Sequence, residues 1–335
     1  MIRTRYFHSD GTLQPDIEPA AFPAALSEPG ILLWVDFVGE APEACEPILL
    51  NTFGSHPLAV DDALIESHVP KVDDWDDYLY IVLHDIGFQR GNLAIETFEL
   101  DVFLGPNYIV THHDSPISSL GRVWDACELD ERTFKRGVDH ILYRITDELA
   151  ADFMQVIEAM DEEIDWLENE VFKKQNSPMA QRIFAFKRAT LHLRRVMSPL
   201  REVMNKLARD DYAMIDQRDQ VYFRDVYDHL VRLHDISESL RDLAGGALDT
   251  YLSVINNRMN DTMKTLTLIT TLFMPVSFLA GFFGMNFFAP EASSPLNRWV
   301  GVPAFIPILV IFTLTPLLMF HWMRRRGWTR RSDDT

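Results

Sequence analysis

Between Tyr251 and Asn286 the residues Asn256, Asn260, Met263, Leu266, Thr270, Met274, Ser277, Gly281 and Gly284 recur at steps of three and four, which places them on one stripe of a helix. The stripe changes character along its length: amides first, an apolar collar at Met263, Leu266 and Met274, then small residues. A helix buried only in lipid has no need of such a stripe, and a channel reading of it requires several subunits around an axis. The same pattern also suits a seam between packed helices, because small residues favour close helix approach in membranes. Covalent chemistry has no comparable candidate: no nucleophile motif and no phosphate-binding glycine loop occurs. His112-His113-Asp114 is the one metal-like triplet, but adjacent residues at a strand end point to opposite faces. Asp73, Asp74, Asp76 and Asp77, and the helical run Asp161, Glu162, Glu163, Asp165, Glu168 and Glu170, read as solvated faces.

The element carrying the stripe sets its environment. From Thr265 to Met285 no residue is charged, and such a helix, about 31 Å long, matches the hydrocarbon thickness of a bilayer. After a short polar connection, a second uncharged run from Trp299 to Met323 is again long enough to span, and it ends in Arg324, Arg325 and Arg326. Those arginines predict a cytoplasmic C-terminal tail. Two spans then return the N-terminal portion to the cytoplasm, leaving about a dozen residues outside a bacterial-type inner (plasma) membrane. The opening MIRTRYFHSDGTLQ has no apolar core of a signal peptide.

The net charge of -19 averages two unlike parts. Residues 265–335 hold six Lys/Arg and three acids, which leaves 25 basic and 47 acidic residues in 1–264, a net of -22. Nucleic acid is therefore excluded as a partner, since phosphate contacts need clustered Lys and Arg; cations suit the acidic surface. Cys45 and Cys127 form neither a metal spacing nor a disulfide framework.

Residues 1–138 read as a mixed α/β domain. Ile31–Phe37 and the core of Lys71–Phe88 have strand composition, Ala41–Phe53 and His56–Glu66 have helical spacing, and Glu96–Thr111 reads as a hairpin turning at Gly105-Pro106-Asn107. Residues 139–264 form a long-helix region: His140–Phe172, a helix starting at Ser177-Pro178 that Pro199 is expected to bend or open, and a last helix from Asp219 into the membrane. The remaining divisions are a first span at 265–286, an external loop at 287–298, a second span at 299–323 and a basic tail at 324–335. Gly245-Gly246, midway along the last helix, suits either close packing or a hinge.

At the outer end of the first span stands Gly284-Met285-Asn286. In its setting, FMPVSFLAGFFGMNF preceded by YLSVINNRMNDTMKTLT and followed by a short loop, a second span and a basic tail, it resembles the signature of the CorA family of divalent-cation (magnesium/cobalt) transporters. PKVDDWDDYLYIVL and LRRVMSPLREVMNKL resemble family segments as well.

The resemblance implies a homopentamer in the lipid bilayer, with an α/β N-terminal cytoplasmic domain, long α-helices and two C-terminal transmembrane helices, five copies of the long helix lining one pore. It implies a selective mouth at Gly284, Met285 and Asn286, with Asn260, Met263, Leu266, Thr270, Met274, Ser277 and Gly281 along the pore and the collar as its gate. Glu291, in the loop, would attract cations by long-range charge. No cofactor is expected; Mg²⁺ would be both substrate and regulatory ligand. For regulation, the resemblance implies closure by intracellular Mg²⁺ bound between neighbouring cytoplasmic domains, with Asp225 at one matching position. The other falls at the uncharged Gln89, leaving Asp85, Asp73, Asp74, Asp76 or Asp77 to supply a carboxylate. Three functions remain distinct at this stage: Mg²⁺ transport, also passing Co²⁺ or Ni²⁺; proton-coupled Zn²⁺ transport; and a membrane-anchored sensor that transports nothing.

Overall fold

In a computed structural model of the chain, residues 1–8, 12–65, 68–129, 136–173, 177–284, 302–326 and 328 are described. They divide into two compact units, Met1–Asp249 and Thr250–Thr335.

The first unit is built on a seven-stranded mixed sheet: β1 (Ile2–Phe7), β2 (Leu13–Pro15), β3 (Leu32–Val38), β4 (Lys71–Asp74), β5 (Leu79–Gln89), β6 (Ala94–Leu104) and β7 (Tyr108–His113). Their spatial order is β2-β1-β3-β7-β6-β5-β4, and β3 with β7 is the parallel pair. β5 and β6 pair over their full length, from Leu79 opposite Leu104 to Gln89 opposite Ala94. The expected hairpin is present, closing at Gly105–Asn107 before β7.

One sheet face is covered by the short helices α1 (Phe22–Leu26), α2 (Pro42–Asn51) and α3 (Pro57–Ile65). Phe22, Leu49, Val60 and Ala63 from these helices form a continuous core with Leu33, Val35, Phe37, Tyr80, Val82, Phe103 and Val110. The other face meets α4 (Ser118–Leu129), α5 (Val138–Lys173) and α6 (Ser177–Arg209). Trp34 lies edge-on to Trp124 there, and Arg3 stacks over the same indole. Beneath them lies a buried polar group: Trp34 Nε1–H donates to Thr111 Oγ1 at 3.1 Å, while Asp36 takes Arg3 at 2.6 Å and faces His113 Nε2 at 3.3 Å. Burial pushes the Asp36 carboxyl up, but His113, Arg3 and Thr111 outweigh it and hold it below its ordinary range.

β1, β2, α1 and α4 have too little periodicity in their short spans to announce themselves. α6 remains helical through Pro199 rather than opening there. The flanking Val196, Met197, Leu200, Val203 and Met204 are all buried, so packing outweighs the one backbone donor that proline removes. α7 runs from Gln220 to Phe283, and α8 from Val302 to Arg325.

Candidate ion-conducting helix

Both C-terminal helices are long and apolar enough to cross a membrane. Over α7 the stripe residues Asn256, Asn260, Met263, Leu266, Thr270, Met274, Ser277 and Gly281 are all exposed, as is Gly284 just beyond its end. Leu268, Thr271, Leu272, Pro275, Val276, Leu279 and Phe283 are partly covered. At about 100° per residue, these two sets fall on opposite sides of the helix. Phe283 meets Phe312 of α8, ring centroids 6.4 Å apart. Within the unit the stripe thus lies on the bare side of the helix, which it shares with off-stripe residues such as Phe273 and Phe278. The contact through Phe312 was not anticipated; the second apolar series, offset from the stripe, is the signal that carries it.

Three hydroxyls along the helix bond back to its own carbonyls. Thr262, Thr265 and Thr270 donate to the carbonyls of Arg258, Asp261 and Leu266, four residues back, at 2.9–3.0 Å. Each threonine oxygen keeps acceptor capacity, so Thr270 presents an uncharged oxygen beside the Leu266 and Met274 side chains. Met263, Leu266 and Met274 are among the most exposed apolar residues of the chain, an arrangement that water alone disfavours. Met285, Asn286 and Glu291 lie outside the described residues.

The three regulatory positions have separate partners within the protomer. Gln89, at the exposed end of β5, donates to Glu96 and accepts from Asn92 Nδ2 at 3.0 Å. Asp225 is exposed on α7, where it adds negative charge near Asp147 and Tyr143. Burial pushes the Asp147 carboxyl up; Arg144 opposes this, and Glu148 and Asp225 reinforce it.

Asp85 lies in the interior of the α/β unit. It is 2% exposed and points between the sheet and α4. It accepts from Ser119 Oγ at 2.9 Å and from the Ile86 N–H at 2.8 Å. Burial and the charge of Asp152 raise its carboxyl to about 6, against the opposing hydrogen bonds and Arg122. Its carboxylate is thus enclosed within the protomer, and a single charged letter in a strand does not reveal which face it occupies. Of the alternatives, Asp73 pairs with Lys71 at 2.9 Å and Asp74 accepts the Asp76 N–H at 3.0 Å.

His112 and His113 point to opposite faces, His112 toward Asp101 and His113 toward Asp36, so the triplet is not one ligand set.

A family model described as "CorA-like Mg2+ transporter protein" matches residues 30–325. The chain belongs to the CorA family. It is 34% identical to the cobalt/magnesium transport protein CorA of Thermotoga maritima, over 82% of this chain and 77% of that one. It is also 26% identical to the zinc transport protein ZntB of Yersinia pseudotuberculosis, over 88% and 87%. Among solved structures, the CorA magnesium transporter of Methanocaldococcus jannaschii shares the fold with a TM-score of 0.83, at 21% identity and 98% coverage of both chains. Membership of CorA, a family of transporters rather than of enzymes, makes the two apolar helices membrane spans and the chain a divalent-cation transporter.

Proposed function

We propose that this chain assembles as a homopentamer that conducts Mg²⁺ down the membrane potential, with Co²⁺ and Ni²⁺ as competing ions. The bare stripe on α7 carries this reading. Two spans in one subunit cannot enclose a path, so a stripe of amides, hydroxyls and small residues needs identical neighbours around an axis to become a lining. A ring of Asn286 side chains and nearby carbonyls at the mouth holds the ion through its water shell, which Mg²⁺ surrenders reluctantly. Glu291 concentrates cations there by long-range charge. A divalent ion moving inward gains about 2 × 2.3 kcal/mol per 100 mV of inside-negative potential, so no nucleotide is needed.

Gating follows from the collar. Met263, Leu266 and Met274 narrow the path until water withdraws. Intracellular Mg²⁺ bound between acidic surfaces holds the subunits together, with Asp225 contributing on α7. Its loss lets like charges repel and the collar open. Gln89 has no charge to give the opposing surface, so this chain closes less sharply than one with carboxylates at both positions.

Zn²⁺ is the second reading, supported by the full-length likeness to a zinc transport protein. Proteoliposome uptake of Mg²⁺, Co²⁺, Ni²⁺ and Zn²⁺, with and without an imposed potential, separates the two. Potential-driven Mg²⁺ entry abolished by Asn286→Ala is the expected result. Zn²⁺ entry that follows a pH gradient with little Mg²⁺ flux would transfer the assignment to zinc. No flux of any ion would overturn both.

A further inference from the structure

The arginine end of α8 carries groups that the stripe on α7 does not use. Residues 250–335 hold eight Lys/Arg and four acids, and no acid occurs between Arg298 and Arg331. This unit therefore attracts anions, although the whole chain has a net charge of -19. Arg324 and Arg325 lie in the last turn of α8, with Arg326 just beyond it. All three are exposed, and among the described residues none is paired with a carboxylate.

These arginines stand beside a shaped surface. An open hollow of about 410 Å³ is lined by Leu318, Met319, His321, Trp322 and Arg325. Leu314, Leu318, His321 and Arg325 follow one another at steps of four, three and four, so they share one stripe of the helix, and all four are exposed. Phe312, Pro316 and Met323, which are covered, fall on another side. From Leu314 to Arg325 the helix rises about 16 Å, close to half of the ~30 Å hydrocarbon thickness. The stripe thus runs from apolar side chains to a cationic end over the depth of one leaflet.

Aromatic stacking fixes the polar end. The Arg326 guanidinium sits 5.5 Å over the Trp322 ring, and Trp322 meets Trp328 with ring centroids 6.4 Å apart. The Arg326 N–H donates to the Trp322 carbonyl at 3.0 Å and the Trp328 N–H to the Met323 carbonyl at 3.1 Å, which closes the helix end. Both indoles remain exposed, as suits side chains at the level where hydrocarbon gives way to headgroups. A guanidinium offers a planar fork of donors matched to phosphate oxygens, and His321 lies one turn from Arg325 on the same stripe.

We propose that Leu314, Leu318, His321 and Arg325, edged by Trp322 and Arg326, bind one anionic phospholipid in the leaflet at the arginine end of α8. Arg325 and His321 hold the phosphate, and an acyl chain lies along Leu318 and Leu314. A soluble phosphate would leave the apolar half of the stripe uncovered. Charge argues against a second copy as the cover: rotation about an axis along the membrane normal brings identical residues to one depth, so a neighbouring α8 arrives with the same three arginines and no acid. Arginines that merely reach the headgroup layer are interchangeable, whereas the hollow makes Arg325 unlike Arg324. The inference rests on α8 being a membrane span and is independent of which ion is transported.

The test uses the full chain in phosphatidylcholine nanodiscs that contain a rising fraction of brominated phosphatidylglycerol or, in parallel, of brominated phosphatidylcholine, while tryptophan fluorescence is recorded. The expected result is saturable quenching by phosphatidylglycerol, lost in Trp322→Phe, against weak and unsaturated quenching by phosphatidylcholine. Arg325→Gln should weaken the apparent affinity about fivefold, the step for one Lys/Arg near an anionic surface. Arg324→Gln removes the same charge outside the hollow and should keep the saturable quenching. Equal weakening in the two variants would reduce the site to a diffuse basic belt, and reversal by excess inorganic phosphate would assign these groups to a soluble anion. Quenching that does not distinguish the two lipids, or that spares Trp322, would mean that no anionic lipid is selected there. Any of these results overturns the proposal. If Arg325→Gln does not reconstitute, His321→Ala takes its place in the same comparison. Because the readout is fluorescence, a chain that transports nothing can still bind the lipid, so this proposal and the transport reading fail separately.

Discussion

Phe103, in the sheet, is fully buried, whereas Phe278, on α7, is 71% exposed. Both are phenylalanines among apolar neighbours, but only the first has protein on every side. In the α/β unit the chain arranges its own interior and places apolar side chains there. Along Thr265–Phe283 it has no interior of its own to fill, and surroundings outside the protomer must cover its side chains. The difference teaches that one apolar letter carries two instructions, and that the charge pattern around it selects between them.

The strongest way to break this comparison is to truncate both rings. Phe103→Ala should cost about 3–5 kcal/mol, the range for a buried aromatic. Phe278→Ala should leave the melting temperature of the detergent-solubilised protein within a few degrees of wild type. Equal drops would show that Phe278 is packed against protein in the assembly.

The comparison sharpens at Asp85, which the α/β unit buries although no charge of the spans shares that fate. Its carboxyl, raised to about 6, binds a proton more tightly when folded than when unfolded. Its contribution to stability is therefore complete below about pH 4 and is lost as pH rises through 6. Asp85 faces Asp152 and Arg122, with Glu148 on the far side of the guanidinium. Asp85→Asn should remove a penalty of about 2–3 kcal/mol at pH 7, flattening the fall in melting temperature between pH 4 and 7. An unchanged slope would place the titration elsewhere.

Arg122 tests the same network from its solvent side. It reaches Glu148 Oε2 and Asp152 Oδ1, each at 2.7 Å, and its charge also opposes the elevation of Asp85. Because the guanidinium is substantially exposed, Arg122→Ala should cost only about 1–2 kcal/mol, well short of a fully buried pair. The loss should shrink in the Asp85→Asn background. A double-mutant cycle showing simple additivity would separate the two residues.

How legible these regions were follows from what each asks of the sequence. The spans needed only length and absence of charge, and the stripe on α7 needed only helical spacing, so both stood out before any contact was known. α5 and the β6–β7 hairpin were clear for the same reason: long periodicity in one and Gly105-Pro106-Asn107 in the other. Burial of polar residues was not. His84, the pair Glu99 and Asp101, and His112 come from three strands and are neighbours only through strand register, which alternation within one strand does not fix. A hint is present in FELDVF, where Glu99 and Asp101 occupy alternate positions of an otherwise apolar stretch. Asp85 shows a related limit, because the sequence alone does not say which of the two sheet faces it takes.

The smallest expected effect lies at Gly245 and Gly246 on α7. A Cβ built at either meets no atom within 4 Å in the protomer, so packing inside one subunit does not require glycine there. Each glycine in a helix interior costs about 0.5–1 kcal/mol against alanine, and retaining two in succession points to bending in use. The double replacement Gly245→Ala, Gly246→Ala should raise the melting temperature slightly and slow Mg²⁺ entry in proteoliposomes. A lower melting temperature with a weakened oligomer would mean that the missing Cβ atoms make room for a neighbouring subunit. Greater stability with unchanged flux would remove the hinge and leave α7 to move as one piece.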